Sequence, residues 1–501
     1  MFTPKLKKHP TNTYSEEGMA MTLSRKKDWR WVHFIIIALL MFGFGFLPPI
    51  GEITVVGMKM LGVFLGLLYG WSTCGMFWPS LLGWIALGFT GIAPMKDIMQ
   101  QGFGNEIIVF LIFILVLVQM LSDSGVIDNI TNYIITRPWL QGRPWLFSTI
   151  FLFASGLLAT FGQAYAAFFL FWGILFNIFK KVGYKPYERY PAIMIIGVII
   201  SASPFGIMLP FKALPLVILG TFTSITGLQV NYLQYMLVMI PTGLAIIAGY
   251  IIFSRFILRP DVSKMKNFDV TKLTSNQAEI TKHQKAVLIG FTCALVLLLI
   301  PGSLPSSWPI TQYLSGLGSA SLMIACTVLF TLIKVDGKPL LDFNQSAKSG
   351  LNWPIIFMLV VIMLLSSLLL SDATGIKAEL VTLLSPVLTG FSGIAFLTVL
   401  YLIILILTNF MNNIIVGIMF LPVLATFYDT LNANPIVGVM LLLLGINTAF
   451  LTPAASPATA MCFAQKEWIK TSEVFKIMAM CVIVFSLIGF PMILGLGYLV
   501  F

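Results

Sequence analysis

Three amides and a hydroxyl fall within the run Thr408–Asn409–Phe410–Met411–Asn412–Asn413–Ile414, with strongly apolar sequence on either side. In hydrocarbon surroundings such side chains are costly unless they find partners or water, so their presence implies a site. Amide groups and the open backbone N–H groups at a helix start suit a carboxylate or another oxyanion, and the amide oxygens of Asn409, Asn412 and Asn413 suit a hard cation. Further along, the stretch Asn447–Thr448–Ala449–Phe450–Leu451–Thr452–Pro453–Ala454–Ala455–Ser456–Pro457–Ala458–Thr459 carries two prolines. Prolines four apart cannot share an unbroken helix, because each removes a backbone hydrogen bond. The freed carbonyls and the hydroxyls of Thr452, Ser456 and Thr459 are expected to line a cavity there, beside Pro453.

An earlier pair of stretches has the same design with less polar content. The first is Thr160–Phe161–Gly162–Gln163–Ala164–Tyr165, and the second is Ser201–Ala202–Ser203–Pro204–Phe205–Gly206–Ile207–Met208–Leu209–Pro210–Phe211–Lys212. The candidate binding residues of this half are Gln163, Ser203, Pro204, Gly206 and Lys212. An ammonium inside an apolar segment is rare and usually functional. Lys212 could attract an anion directly, stand where a bound cation would stand, or snorkel to an interface along its methylene stem. Lys59 is closer to the snorkelling case.

Other chemistries lack their residues. The five cysteines (Cys74, Cys293, Cys326, Cys462, Cys481) lie singly in apolar segments, with no CxxC pair and no metal-ligand spacing. They read as small buried hydrophobes. His9, His33 and His283 are the only histidines, so neither a metal site nor a His-based catalytic apparatus is expected. No paired carboxylates, nucleophile elbow or phosphate loop points to an enzyme. The chain has 501 residues, 58% of them hydrophobic and only 10% charged. A soluble protein of this size needs far more charge to cover its surface.

The elements that must position these residues are membrane helices, since a spanning chain has to satisfy its own backbone hydrogen bonds. Crossings are expected at 31–48, 53–72, 76–92, 106–122, 191–220, 233–257, 285–300, 319–333, 353–370, 435–465 and 474–499. Two further apolar stretches, 145–179 and 392–427, read as re-entrant hairpins that enter and leave on one side. The polar, basic residues 1–30 read as a cytoplasmic tail, without the cleavage signal of a secretory leader. With that end inside, every Lys and Arg except Lys59, Lys96, Lys212 and Lys377 falls in a segment expected to be cytoplasmic. Such bias is the positive-inside rule at work, and it accounts for the net charge of +11 without nucleic acid.

Two regions also look alike. Gly104–Asn105–Glu106–Ile107–Ile108 and Asn352–Trp353–Pro354–Ile355–Ile356 each open an apolar run, and Ser122–Asp123–Ser124–Gly125 and Ser371–Asp372–Ala373–Thr374–Gly375 each close it. An amphipathic stretch, a hairpin and a proline-interrupted helix follow in both. The loop after the first hairpin (180–190) is basic while its counterpart (428–434) is not, and the bias reverses after the interrupted helices. The expected architecture is thus an all-α polytopic membrane protein with about 11 transmembrane helices plus two re-entrant hairpins in two inverted repeats. The repeats run over 31–258 and 285–501, joined by a cytoplasmic linker at 259–284. Inverted repeats with interrupted helices are the pattern of secondary transporters that bind near the bilayer midplane.

The run Gly57–Met58–Lys59–Met60–Leu61–Gly62–Val63–Phe64–Leu65–Gly66, with the hairpins and the interrupted helices, resembles the divalent anion:sodium symporters over nearly the whole chain. That family carries Ser-Asn-Thr at each hairpin tip, ten residues from the Ser to a Pro. Here Asn412–Asn413–Ile414 with Pro422 matches at Asn413 and departs at Asn412 and Ile414, and Ala164–Tyr165–Ala166 matches nowhere. Thr452–Pro453–Ala454–Ala455–Ser456–Pro457–Ala458–Thr459 is similar to the family's Thr-Pro motif, of which Ser203–Pro204–Phe205–Gly206 keeps only the start. The resemblance implies a homodimer in the cytoplasmic (inner) membrane that moves di- or tricarboxylates or sulfate by an elevator motion. It implies a sodium site near Asn409, Asn412, Asn413, Ala455 and Ser456, with sodium as a coupling ion and no other cofactor. The amphipathic stretches Val126–Trp139 and Ile376–Leu388 would be the arms that hold the moving domain. The leading expectation is a transporter of small anions by antiport or cation-coupled symport. The departures at the tips and Lys212 favour exchange or a mechanism without sodium. A sulfate-like or neutral solute, or a non-transporting membrane receptor, is the alternative.

Overall fold

The computed structural model describes residues 30–161, 164–268, 280–305, 307–388, 390–453 and 455–501. Nearly all of the basic tail, and Gln163 with it, lies outside the described residues.

The apolar runs become helices, in the order α1 (Arg30–Ala38), α2 (Val55–Cys74), α3 (Phe77–Phe89), α4 (Met95–Phe103), α5 (Glu106–Asp123) and α6 (Val126–Ile135). Next come α7 (Pro144–Phe161), α8 (Ala164–Val182), α9 (Arg189–Met208), α10 (Ala213–Thr226) and α11 (Tyr232–Phe253). Beyond 268–280 follow α12 (Lys282–Ser303), α13 (Pro309–Leu332), α14 (Phe343–Gly350), α15 (Trp353–Leu369) and α16 (Ile376–Leu388). The last five are α17 (Gly393–Leu407), α18 (Asn413–Phe427), α19 (Pro435–Asn447), α20 (Pro457–Phe463) and α21 (Thr471–Val500). From α2 onward each helix has a counterpart ten places later, α5 with α15, α9 with α19 and α11 with α21. Asparagine caps mark the repetition: Asn105 starts α5 and Asn352 starts α15, each side chain accepting a first-turn N–H.

Eight helical stretches among the described residues are long and apolar enough to cross a membrane, or ten if each of two bent pairs is one span. The chain is an all-α, multi-pass membrane protein. Helices α9 and α19 are apolar on every side and are buried continuously, from Tyr190 to Ser201 and from Val437 to Ile446. Around them α11 packs on α21, α7 on α9, and α17 and α18 on α19. Helix α10 of the first half rests on α15 and α18 of the second. The outer helices α12 and α13 leave Ile289, Val296, Val328 and Leu332 exposed, as a lipid-facing surface requires.

Several boundaries differ from the expected ones, each for a local reason. Helix α13 starts at Pro309 and not near 319, because its break falls inside it at Gly318, whose φ of 74° glycine adopts without strain. Helices α4 and α14 are short and polar enough to escape a hydropathy reading, and α14 meets α15 at 70°. The first interrupted helix breaks only at Leu209–Lys212, so Ser203, Pro204 and Gly206 belong to the last two turns of α9. A membrane helix tolerates Pro204 because neighbouring groups can satisfy the backbone it frees.

The start of α2 is joined to the turn before α16. Thr54 N donates to Thr374 O at 3.0 Å, Thr54 Oγ1 to Ala373 O at 2.7 Å, and Glu52 N to Glu379 Oε2 at 2.8 Å. A side chain at Gly57 would overlap the Thr374 carbonyl oxygen. Gly57→Val is therefore expected to prise α2 from this turn and to cost on the order of 1–3 kcal/mol. A thermal melt in detergent should drop accordingly, and an unchanged midpoint would refute the close approach.

Candidate functional site

The second hairpin is locked to the second interrupted helix by its own tip. Thr408 and Asn409 are both fully buried where α17 ends. Thr408 Oγ1 donates to Ile446 O at 3.1 Å. Asn409 Oδ1 accepts from Phe450 N at 3.0 Å and Leu451 N at 2.8 Å, and its Nδ2 donates to Leu405 O at 2.7 Å. Thr452 Oγ1 returns a bond to Asn409 O at 2.6 Å. The break leaves Leu451 N without a backbone acceptor among the described residues and Phe450 N with only Thr448 O at 3.0 Å, and the buried amide serves both.

The hydroxyls of the break are spent within it. Ser456 caps α20, accepting from Thr459 N at 3.2 Å, and meets Thr459 Oγ1 at 2.8 Å. Thr459 is fully buried and donates to Ala449 O at 2.8 Å. Thr452, Ser456 and Thr459 thus close the break from inside, in place of the open cavity expected of them. Pro453 and Pro457 are exposed, Ala455 is buried, and Ser456 is half-buried.

The two halves meet through Ser203 and Asn447. Ser203 Oγ donates to Asn447 O at 2.9 Å, and Asn447 Nδ2 donates to Ser203 O and Oγ, both at 2.7 Å. This pair brings the end of α9 against the end of α19. Sequence reasoning placed Ser203 in the site but passed over Asn447, although an amide at the mouth of a proline-broken stretch was the available signal. Pro204 is buried, whereas a Cβ on Gly206 would face open space.

Asn412 and Asn413 stand at the start of α18. Asn412 Oδ1 caps the helix by accepting from Ile414 N at 3.0 Å. Asn413 occupies the first helical position, half-buried, with no side-chain hydrogen bond among the described residues. Next to the fully engaged Asn409, it is an amide whose donors and acceptor are unengaged among the described residues. Among the described residues no Asp or Glu bonds to this constellation. Lys212 supplies its single charge, half-buried at the head of α10, and donates to Thr160 O at the end of α7.

For sodium, the donor set is hard oxygen, which suits the ion. Asn409 Oδ1 has both lone pairs engaged, so of the expected ligands the Asn412, Asn413 and Ala455 oxygens remain. No group of three or more His, Cys, Asp or Glu that could hold a metal occurs among the described residues. Two cavities open elsewhere. One of about 400 Å³ lies between α5, α10, α11, α12 and α13 with Glu106, Asn231 and Tyr232 in its wall, and one of about 650 Å³ is lined by Asp97, Gln100, Asn105 and Ser224. Neither is lined by the candidate binding residues named from the sequence.

Two family models match the chain, each over more than half of it: "Citrate transporter" over residues 64–329 and "Sodium:sulfate symporter transmembrane region" over residues 212–500. Both describe transport proteins, not enzymes. A curated relative, the "Sodium-dependent dicarboxylate transporter SdcS" of Staphylococcus saprophyticus, is 23% identical over 333 residues. That alignment spans 62% of this chain and 62% of the relative's length. Among solved structures, the YdaH transporter of Alcanivorax borkumensis superposes with a TM-score of 0.59 at 12% identity, covering 80% of this chain and 88% of that one. That likeness is one of fold.

Proposed function

We propose for this chain, which belongs to the divalent anion:sodium symporter family, secondary active transport of small anions, chiefly di- or tricarboxylates. The observation that carries this reading is Asn413. Its amide has no partner among the described residues, stands at the N-terminus of α18, and follows a hairpin tip tied to the opposing break by Asn409. Helix N-termini and free amide N–H groups bind carboxylate oxygens without a counter-charge. In this reading the anion also meets Asn412, the Thr452–Pro453 turn, and Ser203, Pro204 and Gly206 of α9, with Gln163 at the first tip. Ser456 and Thr459 act from behind, by holding the break in shape. Asn412, Asn413 and Ala455 offer oxygens for a coupling sodium. The printed description of the staphylococcal relative, a sodium-dependent dicarboxylate transporter, supports the same class.

The architecture fits two inverted repeats in which α7–α8 and α17–α18 are re-entrant hairpins. These hairpins would move, with α9–α10 and α19–α20, as an elevator against the remaining helices. A homodimer in the cytoplasmic membrane with the N-terminus inside completes the proposal. Exchange without sodium is the second reading, favoured by Lys212.

Purified protein in liposomes should accumulate labelled succinate or citrate, and replacing sodium by potassium or choline should slow it. Undiminished uptake that depends on an internal anion would select exchange. Passage of a neutral solute with no flux of succinate, citrate or sulfate would overturn the anion class.

A further inference from the structure

Lys212 sits where helix chemistry argues against a lysine. It is the N-cap residue of α10, with extended φ of −83° and ψ of 154°, and its side chain makes no capping bond. That position favours short acceptors such as Ser, Asp or Asn, and the positive end of the helix dipole repels a cation. The ammonium reaches away to Thr160 O. Thr160 is the penultimate residue of α7, where carbonyls lack intrahelical partners and the dipole is negative. The Thr160 hydroxyl shares its proton between Gly156 O of its own helix at 3.0 Å and Phe205 O at 3.2 Å, so hairpin tip and interrupted helix also touch at this spot. Among the described residues no carboxylate pairs with this charge, and the ion pair found there is Lys264–Glu188, at 2.8 Å.

The same joint recurs in the second half with a neutral donor. There the tip carbonyl of Asn409 receives the Thr452 hydroxyl, and the N-cap of the half-helix after the break is Ser456, in the place that Lys212 holds in the first half. Each hairpin tip is thus pinned by a donor from the adjacent break. One donor carries a full positive charge and the other none.

We infer that the Lys212 ammonium is a built-in cation that holds the first hairpin on its interrupted helix, so that this half needs no bound metal ion and any coupling sodium binds in the second half alone. The inference rests on the transport reading above, and its test separates the two. Lys212→Ala removes the charge and leaves room for an ion. Its melting temperature should rise more with sodium chloride than with equimolar potassium chloride, by a margin the wild type lacks, because an ion that binds only the folded state stabilises it. Its anion uptake without sodium should fall by about tenfold or more, equivalent to about 1.4 kcal/mol, and sodium should restore it with one more ion per turnover than in wild type. Lys212→Met fills the space without charge and should lose flux at every sodium concentration. Lys212→Arg should keep the wild-type ion stoichiometry at a lower rate. Wild-type sodium dependence in both neutral variants would overturn the inference, as would a raised KM for the anion with unchanged ion stoichiometry, which marks a direct anion ligand. Should the wild type move no anion at all, the transport reading fails, while the sodium-specific melt of Lys212→Ala still decides the role of the lysine.

Discussion

Replacing Asn409 by alanine is expected to be the most destabilising single change at the site. The amide is almost completely buried and satisfies Phe450 N and Leu451 N while donating to Leu405 O. Alanine would leave Leu451 N without an acceptor and Phe450 N with only its bond to Thr448 O, at about 1–3 kcal/mol in all. The break would lose its attachment to the hairpin tip, and the Thr452–Asn409 bond would be strained with it. The expected result is a detergent-solubilised protein that melts well below wild type and transports poorly for that reason. A melting temperature equal to that of wild type would show that Asn409 does not hold the break.

Asn413→Ala should behave in the opposite way. Its side chain is half-buried and bonded to nothing among the described residues, so its removal leaves no group newly unsatisfied. Stability should stay within about 0.5 kcal/mol, the range of substitutions that touch no buried network. Anion uptake, in contrast, should fall about 10–100-fold, because a hydrogen bond to a charged ligand contributes about 1.5–3 kcal/mol. Asn413→Asp should be worse still, since it places a carboxylate against the anion. Normal uptake by the alanine variant would move the binding site away from the second hairpin tip. Together the pair separates the amide that builds the site from the amide that uses it.

Much of the architecture was readable before any coordinates, and the reasons are local. Apolar runs of spanning length, few charges and the sidedness of Lys and Arg are properties of the chain itself, and they suffice for a multi-pass helical protein. The hairpin tips and the second break were visible because proline and amide residues inside apolar sequence have no inexpensive alternative explanation. Where the signal was weaker the reading slipped. Pro204 was expected at a break and lies in α9, since one proline near a helix end can be absorbed by its neighbours. Glu106, whose carboxylate faces the Gly318 kink and the cavity beside it, drew no attention because a lone acid at the head of an apolar run looks like a cap.

The residue types and their order were thus enough to specify a multi-pass helical membrane protein and the neighbourhoods in which polar groups gather. Which of those groups are free was decided only by the packing of distant segments. Asn409 and Asn413 are the same amide four residues apart, yet one is spent on N–H groups from a stretch more than forty positions later while the other meets no partner among the described residues. Hydrogen-bond partners across a fold depend on where two helices end in space, and no local pattern encodes that. The same holds for Ser203 with Asn447 and for Lys212 with Thr160: each bond exists because a break in one element stops beside the end of another.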